Sequence, residues 1–169
     1  GYGGEIGHIT VDPLGEECAC GSRGCLETLV GQEAIARRAA IDVTERGTRS
    51  VTEELVRRAV DGDAPTLEAL RTTGTTLGTA LASTINLLDL EGVVLGGAYG
   101  PLSPWLADEV ETALREHVLS TRWSSCELRV STLAEGAAVR GATAITLRSV
   151  LAAPWAVAAS EGRQPVAAW

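Results

Sequence analysis

The spacing of apolar residues changes character along this chain. From residue 1 to 26 no helical period fits. The stretches GYGGEIGH, DPLGEE and CACGSRGC are rich in Gly and turn formers, which predicts a loop with at most short strands. From Glu27 to about Ala40 helix formers dominate, and Thr52 to Asp61 reads as a second short helix. The polar stretch TERGTRS, residues 44–50, predicts a loop between them. Asp63 then stands as an N-cap, with Pro65 in the first turn of a long helix. On that helix Leu67, Leu70, Leu77, Leu81, Ile85 and Leu88 share one face by steps of three, four and seven. Gly74, Gly78 and Ala82 recur every four residues, so another backbone can approach closely. Each Gly costs roughly 1 kcal/mol in a helix interior, which tight packing should offset.

The second half reads as alternating elements. Val93-Val94-Leu95 is a short all-apolar strand of the kind buried on both faces, and it ends in Gly96-Gly97. Ser103 and Pro104 form an N-cap and N1 pair, followed by the stripe Leu106, Val110, Leu114 and Val118. Leu128 and Val130 alternate with Glu127, Arg129 and Ser131, a strand with one polar face. Residues 136 to 152 form an Ala-rich helix stopped by Pro154, and residues 154–169 are a tail without a clear period. The order β, α, β, α after residue 90 predicts an α/β layer architecture.

Composition narrows the function classes. Apolar residues make up 45% of the 169 and charged residues 21%, enough for a real core. With Phe absent, the core must be built from Leu, Val, Ile and Ala. The net charge is −8, and the sequence contains no Lys. Scattered Arg residues on an acidic chain do not make a phosphate-neutralising surface. No apolar run approaches the ~18 residues of a membrane span. The absence of Met reads as a piece of a longer protein.

Three of the four Cys fall within eight residues, at 18, 20 and 25. Cys18 and Cys20 are too close for an easy mutual disulfide, so the cluster predicts metal in a reducing, cytoplasmic compartment. The spacing His8-x9-Cys18-x-Cys20-x4-Cys25 supplies a Cys3His set, which closes a tetrahedral structural zinc site with no open position. Such a site folds its loop and does no chemistry. The other reading is a set of free thiols. Gly21 and Gly24 allow the reversals that the loop needs. Cys126 reads as a small buried hydrophobe, and His117 as a surface or packing residue on a helix.

These residues resemble one family. Glu5-Ile6-Gly7-His8, followed by Cys18-Ala-Cys20-Gly21-Ser-Arg-Gly24-Cys25-Leu-Glu27, looks like the signature of the ROK family of repressors, open reading frames and sugar kinases. Ile85-Asn86-Leu-Leu-Asp89 leading to Val93-Val-Leu-Gly96-Gly97, and Val139-Arg-Gly141-Ala142, resemble its later segments. The resemblance covers residues 1 to 153. It implies the C-terminal lobe of an actin-like ATPase fold (ribonuclease H-like, hexokinase-type) with an inserted sugar and zinc loop at 1–27. By the same resemblance Glu5 and Glu27 accept from sugar hydroxyls, His8 joins zinc to the sugar, and Gly96 and Gly97 lie near the adenosine of ATP in a kinase. The implied partners are a small-molecule sugar, a missing N-terminal lobe and a second copy of the chain.

The phosphate loop and catalytic Asp of the family's kinases are not found here, and Asp12, Asp89 and Asp108 sit outside such motifs. No catalytic residue is therefore assigned, and the chain by itself is not expected to phosphorylate anything. Glu27-Thr-Leu-Val-Gly-Gln-Glu-Ala-Ile resembles the post-zinc helix of actinobacterial ROK regulators. That favours a sugar-sensing repressor that meets DNA only through a helix-turn-helix outside this segment. The alternatives are an ATP- and Mg²⁺-dependent sugar kinase, and a zinc-stabilised assembly lobe without ligand.

Overall fold

The computed structural model describes residues 3–43, 48–119, 127–133 and 136–155. In chain order it holds a 3-10 turn at Ile6–His8, then α1 (Leu26–Val30), α2 (Gln32–Arg38), α3 (Thr48–Val60), α4 (Ala64–Leu88), β1 (Gly92–Leu95), α5 (Tyr99–His117), β2 (Glu127–Val130) and α6 (Ala137–Ala152). The chain divides into one unit at Gly1–Ala134 and a second at Glu135–Trp169.

The first unit is organised around α4. Asp63 caps it as expected: its carboxylate accepts from the Thr66 amide at 3.0 Å and from the Thr66 hydroxyl at 2.6 Å. The helix ends where Asp89 takes a left-handed conformation, φ +53°, and returns its N–H to the Ile85 carbonyl. Leu70, Leu77 and Ile85 are buried, and Leu67 and Leu81 partly so. Leu88, expected on the same face, is 59% exposed because it lies in the last turn, beyond the α5 contact.

The small-residue stripe does what its spacing predicts. A methyl placed on Gly74 would lie 2.6 Å from the Leu106 carbonyl oxygen, and one on Gly78 would lie 2.7 Å from the Ala113 Cβ. The backbones of α4 and α5 therefore touch. Asn86 closes the far end of the pair. Its amide donates to the His117 carbonyl and its oxygen accepts from the Leu119 N–H, each at 2.9 Å. His117 is exposed at the helix end, in line with its expected surface role.

Three helices run differently from expectation. The run from Glu27 to Ala40 is two helices, broken at Gly31, which has extended backbone. The second short helix begins at Thr48, so its first turn takes the end of the expected 44–50 loop. The helix expected to start at Ser103-Pro104 begins at Tyr99 and carries Pro104 inside. Pro104 lacks the N–H that would meet the Gly100 carbonyl. The Ser103 hydroxyl donates to that carbonyl instead, at 2.8 Å. The stripe Leu106, Val110, Leu114 and Val118 is buried as expected.

β1 and β2 pair in parallel, with Gly92 opposite Glu127 and Leu95 opposite Val130. The short apolar strand is not buried on both faces: Leu95 is buried, while Val94 is 65% exposed. In β2 Leu128 packs against the core and Val130 is 43% exposed; Glu127 and Arg129 pair on the polar side. The second unit is described by α6, which is capped at Ala153 by an N–H to the Ser149 carbonyl. Cys126 and residues 156–169 of the tail lie outside the described residues.

Two predictions follow the packing. Gly74→Ala gains about 1 kcal/mol of helix propensity but meets backbone. Backbone cannot swing aside, so the variant should lose about 1–2 kcal/mol net in urea denaturation; a gain in stability would contradict the close contact. On α3, Arg57 and Arg58 hydrogen-bond Glu54 and hold its carboxyl down at about 2, against an ordinary value of 4.5. The stabilisation from this shift is complete above pH 4.5. It is lost as pH falls towards 2, because the unfolded carboxyl binds its proton first. Glu54→Gln should therefore flatten the fall of Tm across that window.

Candidate metal and ligand site

The loop that carries the candidate site is ordered by backbone more than by apolar burial. Val11 and Asp12 both donate N–H groups to the Gly24 carbonyl, at 2.9 and 3.2 Å, and the Gly24 N–H reaches the Glu16 carbonyl at 2.8 Å. Gly24 sits at φ +68° with no room for a side chain, since a methyl would fall 1.5 Å from the Asp12 carbonyl oxygen. Gly21 sits at φ +87° in open space. Both glycines make the reversals expected of them. Arg23 ties the tip, donating to the Gly15 carbonyl and the Glu17 carboxylate at 2.8 Å each. Arg37 of α2 reaches Glu16 at 3.2 Å. An antiparallel bridge joins Thr10 to Cys25, and the Leu26 N–H bonds the Ile9 carbonyl at 2.9 Å. This last bond delivers the loop to the start of α1.

Folding of the loop brings His8, Cys18, Cys20 and Cys25 together: one donor atom from each lies within 4.8 Å of all the others. His8 Nδ1 is 3.7 Å from Cys18 Sγ, and Cys20 Sγ is 3.6 Å from Cys25 Sγ. A sulfur pair at that distance is not a disulfide, whose sulfurs stand about 2.05 Å apart. It matches the edge of a tetrahedron around a metal with bonds of about 2.3 Å, which spaces sulfurs by about 3.8 Å. Soft thiolates with one imidazole suit a zinc-like ion.

Cys25 and Cys20 differ in environment. Cys25 is buried, and burial, reinforced by its neighbours Cys20 and Cys18, pushes its thiol up to about 11. Cys20 is exposed, and the Ser22 backbone N–H, followed by Cys25, lowers its thiol. A bound cation would have to displace the Cys25 proton.

Glu27 lies in the first turn of α1, and its carboxylate stands between two glycines. A methyl on Gly7 would lie 3.0 Å from its Oε2; one on Gly31 would lie 2.7 Å from its Oε1. Gly7 belongs to the same turn as His8, so the metal donors and this carboxylate share a wall. Glu5, one turn back, is exposed, and its carbonyl accepts the His8 N–H at 3.0 Å. Glu27 also opens onto a cleft of about 380 Å³ lined by Cys18, Thr28, Gly31 and Gln32. The turn that carries His8 thus lies beside Glu27 through Gly7, and Glu5 joins that turn through its backbone carbonyl. Gly96 and Gly97 form the turn from β1 into α5, where Gly97 takes φ +56°.

Sequence reasoning passed over Gly31 and Tyr99. Gly31 interrupts a run of helix formers, a signal that was available. Tyr99 gives none, because its hydroxyl finds a partner 69 residues away.

The family model that matches is that of the ROK family, over residues 1–149. The chain belongs to the ROK family. It is 31% identical over 155 residues to the DNA-binding transcriptional dual regulator NagC of Escherichia coli, covering 88% of this chain and 38% of the relative. A glucokinase of Halalkalibacterium halodurans is 34% identical over 153 residues, covering 83% of this chain and 46% of the relative. Among solved structures, the ROK hexokinase from Thermus thermophilus superimposes with a TM-score of 0.64 at 31% identity, covering 79% of this chain and 43% of that one. The α/β architecture is accordingly that of the ROK sugar kinases, and the chain spans less than half the length of these relatives. Among the described residues no helix is long and apolar enough to cross a membrane.

The two loop glycines should respond differently. Gly21→Ala meets only the left-handed backbone penalty, about 1–2 kcal/mol. Gly24→Ala meets that penalty plus a backbone collision. It should be the more damaging of the two, with a clearly larger drop in Tm; equal melting of the two variants would contradict the collision.

Proposed function

We propose that this chain is the ligand-binding lobe of a sugar-responsive ROK transcriptional repressor, held in shape by a structural zinc ion on His8, Cys18, Cys20 and Cys25. One observation carries the reading: the turn that presents His8 to the thiol cluster also supplies, through Gly7, one wall of the Glu27 carboxylate. A sugar offers clustered hydroxyl donors, and ionised carboxylates are strong acceptors for them. Glu5 and Glu27 would accept from those hydroxyls. A metal on one ring nitrogen of His8 would fix the tautomer, leaving the other N–H to donate to the sugar. Zinc supplies order only, since four protein donors leave no position for a reacting water.

A sugar bound at this lobe can act on transcription only by favouring one of two states, DNA-bound or released, for which it has unequal affinity. DNA contact would fall to a helix-turn-helix outside this segment. The E. coli regulator among the relatives supports this reading. The glucokinase at 34% identity supports a second, an ATP- and Mg²⁺-dependent sugar kinase in which the Gly96-Gly97 turn would lie near the adenosine.

The deciding experiment uses the full-length protein. Its DNA binding is measured by mobility shift with N-acetylglucosamine, glucose or xylose, alongside sugar-dependent ATP turnover. Release from DNA by one of these sugars, with apparent affinity falling about tenfold or more, is the expected result. Sugar-dependent ATP turnover without DNA binding would replace the repressor with the kinase. In calorimetry, Glu27→Gln should weaken the effective sugar about 10- to 100-fold. Removing zinc with a chelator should lower Tm by about 5 °C or more, and an unchanged melt would remove the structural role of the metal.

A further inference from the structure

Helix α1 has five residues and cannot supply a donor for its last carbonyl, that of Val30. Tyr99 supplies it from the first residue of α5: its hydroxyl donates to the Val30 oxygen at 2.9 Å. Val30 is buried and Tyr99 half-buried, so water does not readily replace this bond.

The Val30 carbonyl and the Gly31 N–H belong to one planar peptide unit. The Gly31 N–H donates to the Glu27 carbonyl at 2.9 Å. At Gly31 the same backbone forms the wall beside Glu27 Oε1. Rotating this peptide would move the bond to the Glu27 backbone and the wall of its carboxylate together. The Tyr99 phenol is pushed up to about 12 by burial and, secondarily, by the Glu27 charge, so it stays a donor throughout the neutral range.

Tyr99 follows the Gly96-Gly97 turn closely. Its own N–H bonds the Gly96 carbonyl at 3.2 Å, and the Gly100 N–H bonds that of Gly97 at 3.2 Å. A continuous set of bonds therefore runs from the end of β1, through the phenol and one peptide plane, to Glu27.

We propose that Tyr99 is a positioning residue for the Glu27 carboxylate, acting through the Val30–Gly31 peptide and coupling the β1–α5 turn to the ligand face. The proposal rests on the sugar reading only for its effect on affinity; the geometry of the peptide stands apart from it.

The test uses Tyr99→Phe in the full-length protein, which removes one hydroxyl and keeps the ring. Amide hydrogen exchange is read first, with no ligand present. The Gly31 N–H should exchange about fivefold faster, while the Ile35 N–H, one turn into α2, stays at the wild-type rate. Calorimetry with N-acetylglucosamine, glucose and xylose is read second. The sugar that binds the wild type should bind the variant about fivefold more weakly. In a Glu27→Gln background the same substitution should change affinity by less than about twofold. Unchanged exchange at Gly31 overturns the proposal, as does a Tyr99→Phe effect on affinity that is the same with and without Glu27. If none of the three sugars binds the wild type, the sugar reading fails and the exchange result alone decides the role of Tyr99.

Discussion

Contact between the backbones of α4 and α5 is the constraint on which the rest of the first unit depends. Side chains normally hold helix axes 8–10 Å apart. Gly74 and Gly78 remove that spacer on one face, bringing α4 against the Leu106 and Val110 carbonyls of α5. With the two helices fixed, α1, α2 and α3 pack on them, β1 joins them, and β2 follows α5. The sheet contributes little burial of its own: Val94 and Val130 remain open. The helix pair is therefore the frame, and Asn86 fastens its far end.

Beside the Arg37–Glu16 ion pair, two attachments of different kinds hold the candidate site to that frame. The loop of residues 3–25 has few apolar side chains to bury, and it takes its order from the Gly24 reversal and the Arg23 ties, which surround the converged donors of His8, Cys18, Cys20 and Cys25. Its bond to the helical body runs through Leu26 and the Thr10–Cys25 bridge. The second attachment is Tyr99, which holds the end of α1 from the α5 side. Glu27 sits between the two, with Gly7 of the loop on one side and Gly31 of the helix junction on the other. On the proposed sugar reading, a carboxylate confined in this way would lose little freedom on accepting a ligand's hydroxyls. Pre-organisation of that kind lowers the entropic cost of binding.

Much of this could be read from the sequence, because the signals are local. The Asp63–Pro65 helix start, the stripe of small residues and the Leu106–Val118 stripe depend on spacing within one element, and the structure keeps them. The His8, Cys18, Cys20 and Cys25 set was legible for the same reason: four donors of matching chemistry lie within eighteen residues. Expectations moved where a neighbour in space decided. Ser103-Pro104 has the pattern of a helix start, yet the Ser103 hydroxyl can also replace the missing proline N–H and let the helix run through. An all-apolar strand implies two covered faces, but β1 has one open face in the first unit.

The sequence by itself determined the family, the order of elements after residue 63 and the chemistry of the donor cluster, since each is written in residue type and spacing. Only the tertiary structure decided which atoms face one another. It placed Glu27 between Gly7 and Gly31, and it joined Tyr99 to the Val30 carbonyl across 69 residues. Neither contact has a period or a motif. Both arise because rigid helices, once packed, leave a carbonyl and a hydroxyl, or a glycine and a carboxylate, with no other place to go.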